Sequence, residues 1–246
     1  MSEDLKEPGG RVRLFVEGAL SAGATLSLDE GQAHYLMHVM RARPGDRLRL
    51  FNGRDGEWIG EISGVRKKQV DVSVLTQGAP QTSSPDLWLV FAPIKKTPAD
   101  YVVQKATELG ASLLQPVYTR RTIVTRVNLD RMRANAVEAA EQSERLDVPE
   151  IRDAVSLDKL IGSWPTERRL IFCDEGGDAE PLAAALAKDT ATSYAILSGP
   201  EGGFDPAERE MLRTQSFVTP VTLGPRILRA DTAALAALAV WGSVKV

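Results

Sequence analysis

Two glycine-rich segments near the C-terminal end carry the residues best placed for chemistry. Residues 199–204 read Gly-Pro-Glu-Gly-Gly-Phe, and residues 223–233 read Leu-Gly-Pro-Arg-Ile-Leu-Arg-Ala-Asp-Thr-Ala. Each follows an apolar, strand-like run, at 194–197 and 218–222, and each leads into a helical pattern. Both turns are therefore expected at the carboxyl ends of neighbouring strands, where open α/β sheets bind ligands.

Glycines set the shape of these two turns. Gly202, Gly203 and Gly224 remove side chains where a backbone must take a positive φ or approach a ligand closely. Two such turns side by side make a pocket of backbone N–H and C=O groups. Glycine pairs also punctuate ordinary loops, but the second turn adds two arginines and a threonine that a purely structural loop does not need. No G-x-G-x-x-G or G-x-x-x-x-G-K-[ST] pattern supports a Rossmann or P-loop site.

Composition places the chain among globular proteins of one or two domains. It has 246 residues, of which 43% are hydrophobic and 26% charged. No apolar run approaches the roughly 20 residues of a membrane span, and the N-terminus lacks the basic and apolar regions of a signal peptide. We therefore expect a cytoplasmic protein that does not enter a membrane.

The cysteine and histidine content argues against a metal site. Cys173 is the only cysteine, which excludes an internal disulfide and a cysteine-based zinc site. It lies in an apolar strand pattern at 170–173 and is expected to be a small buried hydrophobe. His34 and His38 stand four residues apart, but no third ligand accompanies them. We expect no bound metal.

Positive charge is concentrated within a chain whose formal net charge is −3. Residues 95–133 hold eight Lys or Arg against three Asp or Glu, whereas residues 134–246 hold eleven against eighteen. Arg47 and Arg49 alternate along a strand pattern and therefore share one face. This distribution favours a basic surface that binds phosphate.

The order of predicted strands and helices changes near residue 80. Strand patterns at 47–51, 57–62 and 69–74, with one helix from about 30 to 41, predict a small β-barrel domain over residues 1–76. Residues 77–85 are rich in turn formers and are expected to be a linker. Over residues 86–246, strands at 86–91, 111–118 and 170–173 alternate with helices at 98–109, 128–145 and 181–188. This alternation predicts an α/β domain with a mostly parallel sheet.

Four motifs together resemble the RsmE-type 16S rRNA uridine-N3 methyltransferases. They are the two glycine turns, Gln-Lys-Ala-Thr-Glu-Leu-Gly at 104–110 and Glu-Ala-Ala-Glu-Gln-Ser at 138–143, and the likeness extends to His34 and residues 39–41. The resemblance implies a PUA-like RNA-binding barrel followed by a SPOUT domain with a trefoil knot. It also implies a homodimer that uses S-adenosylmethionine to methylate 16S rRNA of the small ribosomal subunit.

The resemblance also implies the roles of particular residues. The residues expected to bind the cofactor are Leu197, Gly199, Gly202, Leu223, Gly224, Ile227, Leu228, Arg229, Thr232 and Ala233. The residues expected to bind RNA are His34, Arg41, Arg43, Lys95, Lys96, Arg120 and Arg121.

Uridine N3 carries a weakly acidic proton, so the reaction needs a group that removes it or that stabilises the resulting anion. Arg229 suits the second task because it is a permanent cation. A general base is sought among Glu201, Glu141 and Asp231. Many relatives have Thr-Glu-Thr where this chain has Ala-Asp-Thr at 230–232, so the Asp231 carboxylate is one methylene shorter. Asp231 is interpreted either as catalytic or as the N-cap of the last helix.

Two other functions remain open. One is a SPOUT methyltransferase that acts on tRNA or on a ribose hydroxyl, which the barrel and the 138–143 motif disfavour. The other is a non-catalytic RNA-binding factor in ribosome assembly, which the intact glycine turns disfavour. Carbon methylation through a covalent adduct is also disfavoured, because neither glycine turn contains a cysteine.

Overall fold

The computed structural model describes residues 12–174, 176 and 178–246, and it gives only the backbone of Lys96 and Thr97. Residues 1–11 of the expected first domain lie outside the described residues. The chain divides into two compact units. The first holds the described residues up to Ser83 together with Ala140–Val148, and the second holds Ser84–Ala139 and Pro149–Val246.

The first unit is a five-stranded sheet in the order β1-β3-β4-β5-β2. Its elements are β1 Arg13–Phe15, β2 Thr25–Ser27, α1 Glu30–His34, a π-helical turn Tyr35–Val39, β3 Arg47–Phe51, β4 Glu57–Arg66 and β5 Gln69–Ala79. The β1–β3 pair is parallel, and the other pairs are antiparallel. Alternate residues of β3 and β5, such as Leu48, Leu50, Val70 and Val72, form the core of this unit with Leu36.

The helix expected at about 30–41 is present but changes its winding. Asp29 caps α1, because its side chain accepts a hydrogen bond from the main-chain N–H of Gln32. The second half of the helix is the π-helical turn. Arg41 then adopts a φ of 55°, which is uncommon outside glycine. At the other end of the barrel, β5 continues to Ala79, so residues 77–79 of the expected linker belong to a strand.

The second unit contains an eight-stranded sheet in the order β11-β13-β10-β12-β6-β7-β8, with β9 paired to β7. Its strands are β6 Leu87–Phe91, β7 Leu113–Tyr118, β8 Glu150–Ile151, β9 Val155–Ser156, β10 Arg169–Cys173, β11 Glu180–Pro181, β12 Tyr194–Ser198 and β13 Val218–Thr222. All pairings described in this unit are parallel, which confirms the expected parallel sheet. The central strands β6, β10 and β12 are almost continuously apolar, because both of their faces are covered.

Six helices accompany this sheet in the described residues. They are α2 Lys96–Glu108, α3 Leu129–Gln142, α4 Leu157–Gly162, α5 Leu182–Lys188, α6 Pro206–Arg213 and α7 Ala230–Lys245. The last helix, α7, packs against α2, α5 and β12. Among the helices that the structure describes, none is long and apolar enough to cross a membrane.

The order of the strands corrects one detail of the sequence interpretation. The two glycine turns follow β12 and β13, which are not direct neighbours, because β10 lies between them. Strand β10 pairs in parallel with both β12 and β13, so the carboxyl ends of all three strands lie at the same edge of the sheet. The residues that follow β10 therefore lie between the two turns.

The last turn of α3 and the segment after it belong to the first unit. Glu144 takes a φ of 61°, a left-handed conformation that often ends helices. Ala140 and Leu146 then pack with the fully buried Phe51 in a small separate core. The first unit is therefore not continuous in sequence.

Arg13 connects this returning segment to the barrel sheet. Its guanidinium donates to Glu57 Oε2 at 2.6 Å and to the carbonyl oxygens of Ala140 and Arg145 at 2.8 and 2.7 Å. It also lies 4.0 Å from the ring centroid of Phe51. Only 2% of the Arg13 side chain and 13% of the Glu57 side chain are exposed. One buried cation thus satisfies a carboxylate and two main-chain acceptors.

We predict that Arg13→Ala lowers the free energy of unfolding by about 3–5 kcal/mol, because it removes the donor to two main-chain carbonyls and leaves the largely buried Glu57 carboxylate only its longer ion pair with Arg49, at 3.8 Å. Arg47→Ala is the matched control, since Arg47 pairs with Glu61 at 3.6 Å and both side chains are 39% exposed. This second loss should stay below about 1 kcal/mol. Urea unfolding of both variants measures the difference, and equal losses would contradict the assigned role of Arg13.

Candidate active site

A cavity of about 410 Å³, called here the larger cavity, lies between the two glycine turns. The first turn contributes residues 198–201, 203 and 204, and the second contributes residues 221–228 together with Ala230 and Ala233. Cys173 and Asp174, at the end of β10, complete the wall. Six of the ten residues expected to bind the cofactor line it: Gly199, Leu223, Gly224, Ile227, Leu228 and Ala233.

The other four expected cofactor residues lie elsewhere. Leu197 is fully buried in the core of the second unit, so a ligand in the larger cavity could reach at most its main chain. Gly202 and Thr232 are not among the residues that line the larger cavity. Arg229 lines an adjoining cavity instead.

The glycines of the turns are required for different reasons. Gly203 and Gly224 have φ values of 66° and 113°, which side chains disfavour. Gly199 has no such φ, but an added Cβ would lie 2.5 Å from the Phe204 ring. Phe204 is itself buried and packs edge-on against Phe172. At Gly202 the nearest atom to an added Cβ is 3.7 Å away, so neither reason applies there.

The start of α6 and the residues Arg120 and Arg121 fix the position of the first glycine turn. Asp205 and Glu208 form a capping box at the start of α6. The main-chain N–H of Arg120 donates to Glu208 Oε1 at 2.7 Å, and its guanidinium lies 3.1 Å from Asp205 Oδ1. Arg121 donates to the carbonyl oxygen of Gly202 at 3.1 Å. Arg120 and Arg121, which were expected to bind RNA, therefore also fix the position of this turn.

Asp174 is a site residue that the sequence analysis did not identify. Its side chain is 1% exposed and accepts hydrogen bonds from Arg209 Nε at 2.9 Å and from Arg213 Nε at 2.8 Å. Arg213 also pairs with Asp178 and lowers the pKa of that carboxyl to about 2. Arg209 and Arg213 are four residues apart on α6 and so share one face. The four-residue spacing of the two arginines indicated a shared binding partner, but the sequence did not show that this partner is Asp174.

Cys173 differs from its expected role as a buried core residue. It is only partly buried and lines the larger cavity. Part of the residue is exposed, but the thiol itself is buried, which raises its pKa to about 12, so the thiol remains protonated at neutral pH. A cysteine does therefore lie at the site, but not in the thiolate form that attacks a carbon.

A smaller cavity of about 360 Å³ adjoins the larger one. It is lined by Ile94, Pro98, Glu201, Ile227, Leu228, Arg229, Ala230 and Asp231. The three residues expected to be catalytic, Arg229, Glu201 and Asp231, all line it, and Glu201 lines both cavities. No hydrogen bond or ion pair of the exposed Glu201 and Arg229 side chains is found within the described part of the chain.

Asp231 does not cap the last helix. The N-cap of α7 is Arg229, and Asp231 lies within the first helical turn, so its interpretation as the N-cap was wrong. Its Oδ1 accepts a hydrogen bond from the Thr232 amide at 2.8 Å. A carboxylate in the first turn of a helix is stabilised by the helix dipole.

Glu141 was one of the three groups considered as a general base, and the structure places it elsewhere. Its Oε1 accepts a hydrogen bond from the main-chain N–H of Phe15 at 2.9 Å, inside the first unit. It is among the lining residues of neither cavity. The 138–143 motif thus contributes to the packing of the returning segment on the barrel.

The expected RNA-binding residues of the first unit, His34, Arg41 and Arg43, are exposed. The ring of His34 lies 4.6 Å from that of His38, and the described residues hold no group of three or more potential metal ligands. The expected arginine stripe is partly neutralised, because Arg47 pairs with Glu61 and Arg49 with Glu144. In the second unit Lys95 is exposed at the start of α2, and the side chain of Lys96 lies outside the described residues.

Family models match most of the chain. A model of an RNA methyltransferase domain matches residues 81–242, and a model of an RNA methyltransferase PUA domain matches residues 28–75. The chain is 31% identical to the ribosomal RNA small subunit methyltransferase E of Rickettsia conorii, over 92% of this chain and 93% of the relative. It is also 31% identical to the protein of that name from Bacillus subtilis, over 92% and 94% of the two chains.

Solved structures with the same fold have been obtained with a cofactor. The small subunit methyltransferase E of Neisseria gonorrhoeae, bound to S-adenosyl methionine, is 26% identical and superposes with a TM-score of 0.86 over 95% of this chain and 98% of that one. A putative methyltransferase of Legionella pneumophila, also with bound cofactor, is 29% identical with a TM-score of 0.85 over 94% and 97%.

The chain therefore belongs to the RNA methyltransferase family with an N-terminal PUA domain. This confirms the expected family and enzyme class. It also confirms the expected fold class in its main features, an α/β domain with a parallel sheet preceded by a PUA-like domain.

The glycine positions lead to a prediction that separates two residues expected to act alike. Gly199→Ala should weaken the binding of S-adenosylhomocysteine, the reaction product, by about tenfold or more, because overpacking against Phe204 costs about 1–3 kcal/mol and moves the turn. Gly202→Ala should change the affinity by less than about twofold, since its Cβ makes only ordinary contacts. Equilibrium dialysis with labelled product compares them. Equal losses would show that the Phe204 contact is not what makes Gly199 necessary.

Proposed function

We propose that the protein transfers the methyl group of S-adenosylmethionine to N3 of a uridine in 16S rRNA of the small ribosomal subunit. The observation that carries this proposal is the larger cavity, which two glycine turns form at the edge of a parallel sheet in a chain of this family. The adjoining smaller cavity holds one arginine and two carboxylates. That combination suits deprotonation of a weak N–H acid and stabilisation of its anion.

The residues of the larger cavity fit the cofactor. A volume of about 410 Å³ lies within the usual range of small-molecule sites. The two glycine turns offer main-chain N–H and C=O groups to the adenine edge and the ribose. Leu223, Ile227 and Leu228 offer apolar surface to the faces of the adenine ring. When bound, the cofactor supplies an electrophilic methyl group on a positively charged sulfur.

Transfer to N3 breaks the sulfur–methyl bond, forms the nitrogen–methyl bond and releases the N3 proton. Glu201 and Asp231 are the carboxylates that could accept this proton, because both line the smaller cavity. Arg229 stabilises the negative charge that N3 deprotonation places on the flanking carbonyl oxygens. The N3 atom, the carboxylate that accepts its proton and the methyl donor must be aligned, so most of the rate acceleration comes from positioning.

The state of Cys173 supports nitrogen rather than carbon as the methyl acceptor. Carbon methylation of a pyrimidine needs a nucleophile that first adds to the ring. The pKa of the Cys173 thiol, raised to about 12 by burial, removes this group as a thiolate at neutral pH. A direct attack by a ring nitrogen requires no such adduct.

Recognition of the RNA is assigned to the barrel and to basic residues of both units. His34, Arg41, Arg43 and Lys95 are exposed and free to contact phosphates, and Arg120 keeps 58% of its side chain exposed despite its pairing with Asp205. Lys96 and Arg121 complete this proposed set. Such contacts position the enzyme without reading sequence. A homodimer that acts on the small subunit in the cytoplasm is part of the same proposal.

The product is the direct test of this function. We expect small-subunit rRNA from cells that lack the protein to lose one N3-methyluridine, and the purified enzyme with S-adenosylmethionine to restore it. Nuclease digestion and mass spectrometry identify and locate the nucleoside. Persistence of N3-methyluridine, or loss of a 2′-O-methyl group or a tRNA modification instead, would contradict the proposed reaction.

The single cysteine provides a separate test of the cofactor site. We expect the Cys173 thiol to react with a disulfide reagent at pH 8 more slowly than a free thiol, because its raised pKa leaves little thiolate. Saturating S-adenosylhomocysteine should slow the reaction further by covering Cys173. Cys173→Ala verifies that no other group reacts. A rate that the product leaves unchanged would place the cofactor outside the larger cavity.

A further inference from the structure

Glu208 is a buried carboxylate that the methyl transfer itself does not use. It is the third residue of α6, shortly after the first glycine turn, and only 3% of it is exposed. Its Oε2 accepts a hydrogen bond from the main-chain N–H of Asp205 at 3.1 Å. Its Oε1 accepts one from the main-chain N–H of Arg120 at 2.7 Å, across 88 residues of sequence. One carboxylate therefore joins the end of the first glycine turn to a distant segment.

The segment that Glu208 reaches, residues 119–122, is called here the basic turn. It follows β7 and is closed on itself, because the Thr119 N–H donates to Thr122 Oγ1 at 2.9 Å and the Thr122 N–H donates to the Thr119 carbonyl oxygen at 3.1 Å. Strand β7 pairs in parallel with β6, and β6 pairs in parallel with β12. The basic turn therefore lies at the same edge of the sheet as the first glycine turn.

Two arginine side chains make further contacts between the same segments. Nη1 of Arg121 donates to the carbonyl oxygen of Gly202 at 3.1 Å, and Nη1 of Arg120 lies 3.1 Å from Asp205 Oδ1. Each of these contacts uses one nitrogen, whereas a guanidinium carries five N–H donors. Both side chains are exposed. They can therefore bind RNA phosphates while they keep their contacts to the glycine turn and to the start of α6.

We propose that Glu208 is a positioning residue that joins the basic turn to the first glycine turn, so that bound RNA and bound cofactor strengthen each other's binding. This inference rests on the proposed function and adds how the binding of its two substrates is linked. Glu208 touches neither substrate in this proposal, and it acts through the main-chain groups of Arg120 and Asp205.

The physical reason is that each substrate restricts a segment that Glu208 connects to the other. RNA phosphates held by Arg120 and Arg121 restrict the basic turn. The cofactor restricts the first glycine turn, whose residues line the larger cavity. The substrate that binds first pays the entropy of ordering the joined segments, so the second binds more tightly. Linkage requires this effect to be equal in both directions.

The variant Glu208→Gln removes the link with a small change of structure. A capping box accepts glutamine at this position, so the amide oxygen can keep the hydrogen bond from Asp205. The amide NH₂ is a donor and would then face the main-chain N–H of Arg120, which is also a donor. The substitution therefore preserves the start of α6 and breaks its bond to the basic turn. Glu210→Gln is the matched control, because it makes the same change at an exposed residue of the same helix.

Equilibrium dialysis of labelled S-adenosylhomocysteine measures the linkage in the full-length protein. Each variant is tested with and without saturating small ribosomal subunits from cells that lack the protein. For the wild type and Glu210→Gln we expect the subunits to raise the affinity about fivefold or more. For Glu208→Gln we expect a rise below about twofold, while the affinity without subunits stays within about threefold of the wild type. A merely structural role would lower both affinities and leave their ratio unchanged.

Two results would overturn the inference: no rise in affinity for the wild type, or an undiminished rise for Glu208→Gln. If Glu208→Gln does not fold, Arg121→Ala replaces it, because Arg121 is exposed and supplies the contact to Gly202. At saturating subunits this variant should also show a smaller rise than the wild type, and an equal rise would overturn the inference.

The same subunits separate this inference from the proposed function. If the wild-type enzyme forms no N3-methyluridine in them, the proposed function fails and the inference fails with it. If N3-methyluridine is formed but the subunits leave the affinity for S-adenosylhomocysteine unchanged, the function stands and the role of Glu208 is wrong.

Discussion

The parallel pairing of β10 with β12 on one side and with β13 on the other constrains the position of the active site. Parallel strands end at a common edge, so the segments that follow these three strands must meet there. Two of these segments are the glycine turns, and the third brings Cys173 and Asp174 between them. The larger cavity is a consequence of this register, and a shift of one strand would separate its walls.

Charged hydrogen bonds then fix the positions of the segments at this edge of the sheet. The nearly inaccessible carboxylate of Asp174 accepts hydrogen bonds from two arginines of α6, and α6 begins where the first glycine turn ends. The turn is tied on its other side by Arg120 and Arg121. A site that must place a donor and an acceptor in contact benefits from such restraint, because a small displacement is costly in rate. The side chains of Glu201 and Arg229, by contrast, form no hydrogen bond or ion pair with the residues that the structure describes.

The local pattern of the sequence was sufficient to predict the main strands and helices and the position of the cavity. Strand β3 was predicted to the residue, and both glycine turns lie where the strand patterns end. The two-residue strands β8, β9 and β11 were missed, because such short elements have no periodicity of their own. Partners distant in sequence were missed as well. Arg13 with Ala140, and Asp174 with α6, are contacts that no local pattern contains.

For two carboxylates the sequence left alternative roles open, and the tertiary structure narrows them. Glu141 belongs to a motif that resembles a catalytic family, but its carboxylate is bound to the main chain of Phe15. Asp231 has the chemistry of an N-cap, yet α7 begins one residue before it. Residue type and spacing identified both positions as special, whereas only the tertiary contacts distinguish a structural carboxylate from one that faces a cavity.

Isothermal titration calorimetry with S-adenosylhomocysteine tests the central claim most directly, since it asks whether the cavity between the glycine turns binds the cofactor. The account predicts saturable binding at about one site per chain, which Gly224→Val abolishes while the melting temperature shows that the variant remains folded. Gly224 lines the larger cavity with a φ of 113°, which a β-branched side chain disfavours, and an added Cβ meets no protein atom within 4 Å, so the substitution distorts the cofactor site without a clash elsewhere. Absence of binding to the wild type, or equal binding to Gly224→Val, would contradict it.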